Sequence, residues 1–351
     1  MIIEATAPTR IDLAGGTLDI YPIYLLEGGA VTINLAITIG TRVRVEPYAE
    51  GVAVYSEDLG FGVEAPTAAA LPVGGPLDLI LRTLRYCALP THTRVVTASD
   101  APRGSGLGAS SSLLVALLAA CERRRTRGSP RRRVLRPDLV DIAAKLEAQS
   151  INAPTGKQDY YAALQGGLNA IWFGLEQETV EPLLPLRRLA ALEEHLVLTF
   201  TGEPHASGRT NWGMMRAYLD GVPETVRGLR AIRRISQEMR EALRRGDLRA
   251  SARLLREEWE QRRGLAEGVS TPEIERAITT ARKAGALASK VCGAGGGGCV
   301  VSVVPAERKG TVERALTEAN FRVLPFHIAR RGLQVVVRPS RVRPRARRAG
   351  P

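Results

Sequence analysis

The segment with the most chemistry is Ala101-Pro102-Arg103-Gly104-Ser105-Gly106-Leu107-Gly108-Ala109-Ser110-Ser111-Ser112. Glycines at alternate positions let the backbone approach a ligand and turn several N–H groups inward. The serines that follow open a run of helix formers. A helix N-terminus adds free N–H groups and a partial positive charge, and hydroxyls in its first turn can bond phosphate or bind Mg²⁺. A triphosphate cradle is one reading. A Gly-rich turn with a serine N-cap is the other, and the segment alone does not choose between them. Other phosphate loops fit poorly. The Walker pattern needs Gly-Lys-Ser/Thr, but Gly156-Lys157 is followed by Gln158. A dinucleotide turn needs GxGxxG, and Gly104, Gly106 and Gly108 read GxGxG.

Two carboxylates stand twelve residues apart, Glu147 on an expected helix and Asp159 after the turn formers Pro154 and Gly156. A kinase needs one acid to hold Mg²⁺ and one group to orient or deprotonate the attacking hydroxyl. The bland alternatives are a solvent-facing helix residue for Glu147 and a turn cap for Asp159. Lys157 could reach a phosphate or stay solvated.

Three segments, in order, resemble the GHMP kinases, the superfamily of galactokinase, homoserine kinase, mevalonate kinase and phosphomevalonate kinase. Pro102–Ser112 is similar to their central PxxxGLGSSAA-like motif. Ala7-Pro8-Thr9-Arg10-Ile11-Asp12-Leu13-Ala14-Gly15-Gly16-Thr17-Leu18-Asp19 resembles their N-terminal substrate motif. Lys290-Val291-Cys292-Gly293-Ala294-Gly295-Gly296-Gly297-Gly298-Cys299 resembles their C-terminal one.

The resemblance implies a two-lobed α+β fold, with an N-terminal ATP-binding lobe like domain 2 of ribosomal protein S5 over 1–175. A ferredoxin-like C-terminal lobe over 190–337 and a basic tail over 338–351 complete the expected organisation. ATP would lie between the lobes, its phosphates on Pro102, Gly104, Ser105, Gly106, Leu107, Gly108, Ala109, Ser110, Ser111 and Ser112. Galactokinases carry a metal-binding Glu and a catalytic Asp at the spacing of Glu147 and Asp159, which implies those roles here. Ser110 would join Glu147 on Mg²⁺, with Ser111 the fallback. Arg10 would sit beside Asp159, lower its pKa and keep it ionised at neutral pH. Gly293, Ala294, Gly295 and Gly296 would pack against the cradle and the substrate.

For the substrate, galactokinases usually read Gly-Glu-His-Thr-Asp where this chain has Gly15-Gly16-Thr17-Leu18-Asp19. With Gln158-Asp159-Tyr160-Tyr161-Ala162-Ala163 and Gly166-Gly167-Leu168-Asn169, that form looks like the D-glycero-D-manno-heptose 7-phosphate kinases. Gly16, Thr17 and Asp19 would face the sugar, Asp19 bonding its hydroxyls unless it caps the following segment. The stretch Thr201–Trp212 departs from the heptose kinases. Within it Arg209 could bind a sugar phosphate and His205 a hydroxyl, and without a phosphate contact there a free sugar becomes the substrate. The expected partner is thus a small sugar or sugar phosphate, with a galactokinase-like kinase of a free sugar as the alternative. A mevalonate-type kinase stands further off, and so does a non-catalytic sugar or nucleotide sensor, whose signature would be loss of Asp159, Glu147 or the serine run, all of which are present.

These groups must be positioned by ordinary elements. Ala30–Ile37 and Thr41–Val45 read as strands, the second by strict alternation, and Thr93–Thr97 as a short strand leading into the glycine loop. Helices are expected over Leu77–Cys87, from the serine run to about Arg125, and over Asp138–Ser150. Leu168–Phe173 and Leu196–Phe200 read as strands with a connection over 174–193 between them. Residues 210–290 are mostly helical, and strands return at Cys299–Val304 and Gly332–Val337.

Composition narrows the classes. Hydrophobic residues at 44% and charged residues at 24% of 351 exclude a disordered chain. The net charge of +13 would suit nucleic acid, but fourteen Arg lie in two acid-free segments, 123–136 and 338–351, and the remainder carries −1. The basic residues include only five Lys, so nucleic acid is not expected as a partner. Cys87, Cys121, Cys292 and Cys299 form neither a disulfide framework nor a CxxC zinc pair. The apolar run Leu113–Cys121 falls far short of the roughly 20 residues that span a bilayer, and no signal peptide is visible. A reduced, cytoplasmic protein without membrane partners is expected, as a monomer or homodimer.

Overall fold

The computed structural model describes residues 1–126, 138–203 and 207–339. The strands, in chain order, are β1 (Ile2–Ala14), β2 (Ala30–Pro47), β3 (Val52–Ser56), β4 (Phe61–Ala65), β5 (Thr93–Ser99), β6 (Leu168–Phe173), β7 (Thr179–Pro182), β8 (Leu196–Phe200), β9 (Ala288–Val291), β10 (Cys299–Val303), β11 (Arg322–Val323) and β12 (Gln334–Arg338). The helices are α1 (Ile23–Leu26), α2 (Asp78–Tyr86), α3 (Ala109–Arg125), α4 (Leu139–Ile151), α5 (Gln158–Gln165), α6 (Leu186–Glu193), α7 (Ser207–Leu219), α8 (Pro223–Arg245), α9 (Leu248–Arg262), α10 (Pro272–Lys283) and α11 (Lys309–Glu318).

The strands form two sheets. The first runs β12-β1-β2-β5-β3-β4, with β6 on β2 and β7 beyond β6. The second runs β11-β8-β10-β9. The long strand β2 serves two partners, β6 along Ala30–Leu35 and β5 along Thr41–Pro47. Its burial explains its sequence. Thr41, Val43 and Val45 point inward while Arg42 and Arg44 face water, whereas Ala30–Ile37 is buried without interruption, its Thr32 and Asn34 included. Helix α3 lies against β1 and β2 and is buried from Leu114 to Cys121, which explains its lack of a polar face.

One apolar cluster joins the sheets. Ile11, Ile33 and Leu35 of the first pack in it with Leu198 and Val301 of the second and with Ile235, Met239 and Leu255 of α8 and α9. The two halves therefore share a core beneath the site.

Two expectations are corrected. Residues 174–193 are not a plain connection, because β7 and α6 lie there. The last strand does not join the second sheet, as a boundary at 337 would have it. It pairs antiparallel with β1, Ile2 opposite Arg338 and Thr6 opposite Gln334, and Leu333 and Val335 pack on the core beneath the first sheet. That pairing covers the edge of β1. Of the basic tail, residues 340–351 lie outside the described residues, as do 127–137 of the Arg-rich segment.

Candidate active site

The glycine segment opens α3 as a cradle. Gly104, Gly106 and Gly108 have φ of 65°, 70° and 74°, left-handed values that L side chains resist. The residue before α3 is Gly108, and no side chain caps the helix. The serine N-cap reading is thereby excluded, and the first turn of α3 adjoins the cleft, which Ala109 and Ser110 line. The cleft holds about 390 Å³, within the range of small-molecule sites. Pro102, Gly104, Ser105, Gly106, Leu107, Gly108, Ala109 and Ser110 line it. The C-terminal glycine loop docks on the cradle from behind. Cys299 N–H donates to Ser105 O at 2.8 Å, and a Cβ on Gly293 would stand 2.9 Å from Gly106 O.

The serines divide. Ser110 lines the cleft and its hydroxyl bonds Glu147 Oε1. Ser111 lies deeper and donates to Glu147 Oε2 at 2.9 Å, and Tyr160 OH bonds the same oxygen. Burial pushes the Glu147 pKa up, and these three hydroxyls oppose the rise. Ser112 corrects the expectation that it binds the cofactor. It is fully buried, donates to Ala7 O at 2.8 Å and shares a hydrogen bond with Thr41, so it fastens α3 to the sheet. Ser112→Ala is therefore expected to cost about 1–3 kcal/mol of stability with turnover nearly kept. On the metal role that the resemblance implies for Ser110, Ser110→Ala should instead raise the Mg²⁺ requirement with stability nearly kept. Metal titrations and thermal unfolding of both variants check this.

Across the cleft, Arg10 Nε donates to Asp159 Oδ1 at 2.6 Å and Nη2 to Oδ2 at 2.8 Å, while Nη1 donates to Gly106 O at 2.6 Å. One guanidinium thus ties the acid to the cradle backbone. Asp159 lies in the first turn of α5, and a Cβ on Gly108 would come within 2.7 Å of its Oδ2. The expected lowering of the Asp159 pKa is corrected. Burial pushes it above the ordinary carboxylate value, although Arg10 opposes the rise.

The turn 15–19 forms the other wall. Asp19 is buried and accepts from Gln158 N–H at 2.9 Å. A Cβ on Gly156 would stand 2.1 Å from Asp19 Oδ2, and one on Gly16 would stand 2.4 Å from Asp12 Oδ2, so both approaches require glycine. Burial raises the Asp19 pKa from 3.8 to about 6, the Gln158 N–H opposes this, and the negative Asp159 and Asp12 add to it. The folded state then holds the proton more tightly than the unfolded state. Stability from this group is full below the ordinary value and is lost as pH rises through about 6. Denaturant unfolding at about pH 4 and about pH 7 should show the parent losing about 2 kcal/mol more than Asp19→Asn.

Beneath this turn lies a buried charge cluster that sequence reasoning missed. Asp12, Glu258, Arg262 and Lys290 are all fully buried. Arg262 pairs with Glu258 at 2.5 Å, and Lys290 lies 3.0 Å from Glu258 and 3.3 Å from Asp12. Burial opposes the Asp12 carboxylate, but Lys290, Arg262 and Arg10 outweigh it and hold its pKa below the ordinary value. A signal existed in α9, where Glu258 and Arg262 continue the buried stripe of Ser251 and Leu255.

Of the remaining expected residues, Gly16, Thr17, Asp19, Gly293 and Ala294 line the cleft. Gly295 and Gly296 do not. A Cβ on Gly295 would stand 2.4 Å from Val269 O, and one on Gly296 3.2 Å from Gly268 O, so both pack behind the site. Lys157 is not free for phosphate, being bonded to Asp141 and Glu178 at 2.6 Å each. His205 and the side chain of Arg209 lie outside the described residues. Gln158, Thr155 and Asn211 also line the cleft, and Ser56, Asp58, Leu79 and Ile80 lie on its wall too.

A glycine-rich loop opening a helix, facing an acid held by a guanidinium, is equipment suited to phosphoryl transfer to a hydroxyl. The protein is a phosphotransferase with an alcohol group as acceptor. Residues 77–167 match the GHMP kinases N terminal domain and 239–322 the GHMP kinases C terminal domain. The chain is similar to a D-glycero-alpha-D-manno-heptose 7-phosphate kinase of Campylobacter jejuni, 27% identical over 348 residues that cover 95% of this chain and 98% of that one. It is 31% identical over 258 residues to a mevalonate kinase of Methanothermobacter thermautotrophicus, covering 71% of this chain and 75% of the other. The crystal structure of a D-glycero-D-manno-heptose 1-phosphate kinase from Bacteroides thetaiotaomicron superposes with a TM-score of 0.76 at 27% identity, covering 96% of this chain and all of that one. The chain belongs to the GHMP kinases.

Proposed function

We propose that the protein is a sugar kinase transferring the γ-phosphoryl group of ATP to the anomeric hydroxyl of D-glycero-D-manno-heptose 7-phosphate. The observation that supports this best is the meeting, in one cleft, of the Gly104–Ser110 cradle, the Arg10–Asp159 pair and the Gly16–Asp19 turn. The full-length likeness to a heptose 7-phosphate kinase supports the choice of sugar.

In this reading the cradle and the first turn of α3 bind the ATP phosphates through backbone N–H groups. Asp159 orients the acceptor hydroxyl and takes up its proton, and Arg10 holds the carboxylate toward it. Asp19 accepts hydrogen bonds from sugar hydroxyls. Ser110 and Glu147 present adjacent hard oxygens on the cleft wall, a donor set that suits Mg²⁺. When bound there, Mg²⁺ supplies charge neutralisation to the phosphates. Residues 1–175 with the closing strand form the nucleotide-binding unit, and 190–333 complete the acceptor side. The four free thiols suit the cytoplasm.

One observation favours an unphosphorylated sugar. Among the described lining residues the basic side chains are Arg10 and Arg103. Arg10 is committed to Asp159, and Arg103 belongs to the cradle. ADP release over heptose 7-phosphate, heptose, galactose and mevalonate separates the readings. The highest kcat/KM is expected with heptose 7-phosphate. A preference of more than about tenfold for a free sugar replaces the substrate, and the absence of turnover with every sugar overturns the sugar-kinase reading.

A further inference from the structure

The buried cluster beneath the Gly16–Asp19 turn has no part in the reading above. Arg262, at the end of α9, reaches out of the second half of the chain into that turn. Its Nη2 donates to Gly16 O at 2.8 Å and its Nη1 to Thr17 Oγ1 at 3.2 Å. Glu258, one helical turn earlier, accepts from Nε at 2.9 Å and from Nη2 at 2.5 Å and fixes the guanidinium plane. Lys290 on β9 bridges Glu258 and Asp12, so two acids and two bases neutralise one another out of water.

The turn needs such a clamp. Thr17 has φ of +76°, a left-handed value that a β-branched residue adopts only under constraint. Thr17 is buried, and two residues later comes Asp19, whose placement depends on the turn. Leu18 N–H bonds Gly15 O and Ile20 N–H bonds Thr17 O, so the strained residue sits inside two consecutive tight turns. Nothing else in this cluster donates to both the Gly16 carbonyl and the Thr17 hydroxyl.

We propose that Arg262 is a positioning residue for the acceptor: anchored by Glu258, it holds the Gly16–Thr17 turn in its strained form so that Asp19 faces the acceptor. This rests on the reading of Asp19 as an acceptor contact. The clamp itself does not, so the two can fail separately.

The test uses the full chain with Glu258 and Arg262 replaced together, as Glu258→Met with Arg262→Met. Removing both charges avoids leaving one buried and unpaired, a change far gentler to folding than either single loss. Three quantities are measured: KM for the acceptor the parent uses, KM for ATP, and hydrogen exchange over residues 15–20. The expected result is an acceptor KM raised at least about tenfold, an ATP KM within about twofold of the parent, and faster exchange in the turn. Unchanged exchange overturns the clamp. Faster exchange with an unchanged acceptor KM overturns the positioning role, and so does an equal rise in both KM values. If the double variant does not fold, Thr17→Val keeps the side-chain shape and removes the oxygen that Arg262 reaches. Faster hydrogen exchange over residues 15–20 is then expected, and unchanged exchange overturns the proposal. A parent that phosphorylates none of the sugars overturns the functional reading instead, and the exchange measurement still decides the clamp.

Discussion

Asp159→Asn is expected to lower kcat by about 100- to 10,000-fold while ATP binding stays within a few-fold of the parent. Two losses combine. On the proposed reading, the acceptor hydroxyl loses the group that takes or orients its proton. Arg10 also loses its bidentate partner at 2.6 and 2.8 Å and is left as a buried cation beside the cleft with only the carboxylate of Asp12, shared with Lys290 and Arg262, to balance it. An amide can offer only one acceptor oxygen to a guanidinium, and its NH₂ faces a donor. The nucleotide should feel little of this, because its phosphates would rest on backbone N–H groups of the cradle and of α3. Single-turnover kinetics and calorimetric ATP binding on the same protein check the split. Turnover near that of the parent removes Asp159 from the mechanism.

Glu147→Gln is expected to lower kcat by about 100- to 1,000-fold at limiting Mg²⁺, with part of the loss recovered at high Mg²⁺. Glu147 is buried, and the hydroxyls of Ser110, Ser111 and Tyr160 converge on its two oxygens. Glutamine keeps the volume but replaces one charged acceptor by a donor. The hydroxyls around it must turn, and Ser110, on the cleft wall, turns with them. A hard, negatively charged ligand is lost at the place where Mg²⁺ would bind. The readout is activity across a Mg²⁺ titration, with thermal unfolding alongside to measure what the disturbed hydroxyl network costs in stability. A metal dependence like that of the parent places the ion elsewhere.

Much of this was legible because it is local. Glycine at alternate positions means backbone that only glycine adopts comfortably, and the observed φ values at Gly104, Gly106 and Gly108 are of that kind. The alternation of Thr41, Val43 and Val45 with Arg42 and Arg44 named both faces of β2, since neighbouring residues of a strand point to opposite sides. The serine run marked the start of α3, and the likeness of three ordered segments to one superfamily supplied the fold and the pairing of Glu147 with Ser110. What helical spacing could not say is which serine turns where. Ser112 belongs to the sheet contact because Ala7 and Thr41 happen to lie behind it.

The chain by itself thus marked most of the elements, the glycine loop and the two acids, since each rests on residues a few positions apart and on backbone preferences that act over one turn or one pleat. It missed β7 and α6 and did not choose between a cradle and a capped turn. Only the tertiary structure decided the rest. It brought Asp12, Glu258, Arg262 and Lys290 from β1, α9 and β9 into one buried cluster, and it closed the first sheet with a strand more than 300 residues from its partner. It also set the balance at Asp159, where burial outweighs the neighbouring guanidinium. The physical reason is the same in each case. Desolvation and charge pairing depend on what packs around a group, and no local spacing encodes the distant segments that exclude water from it.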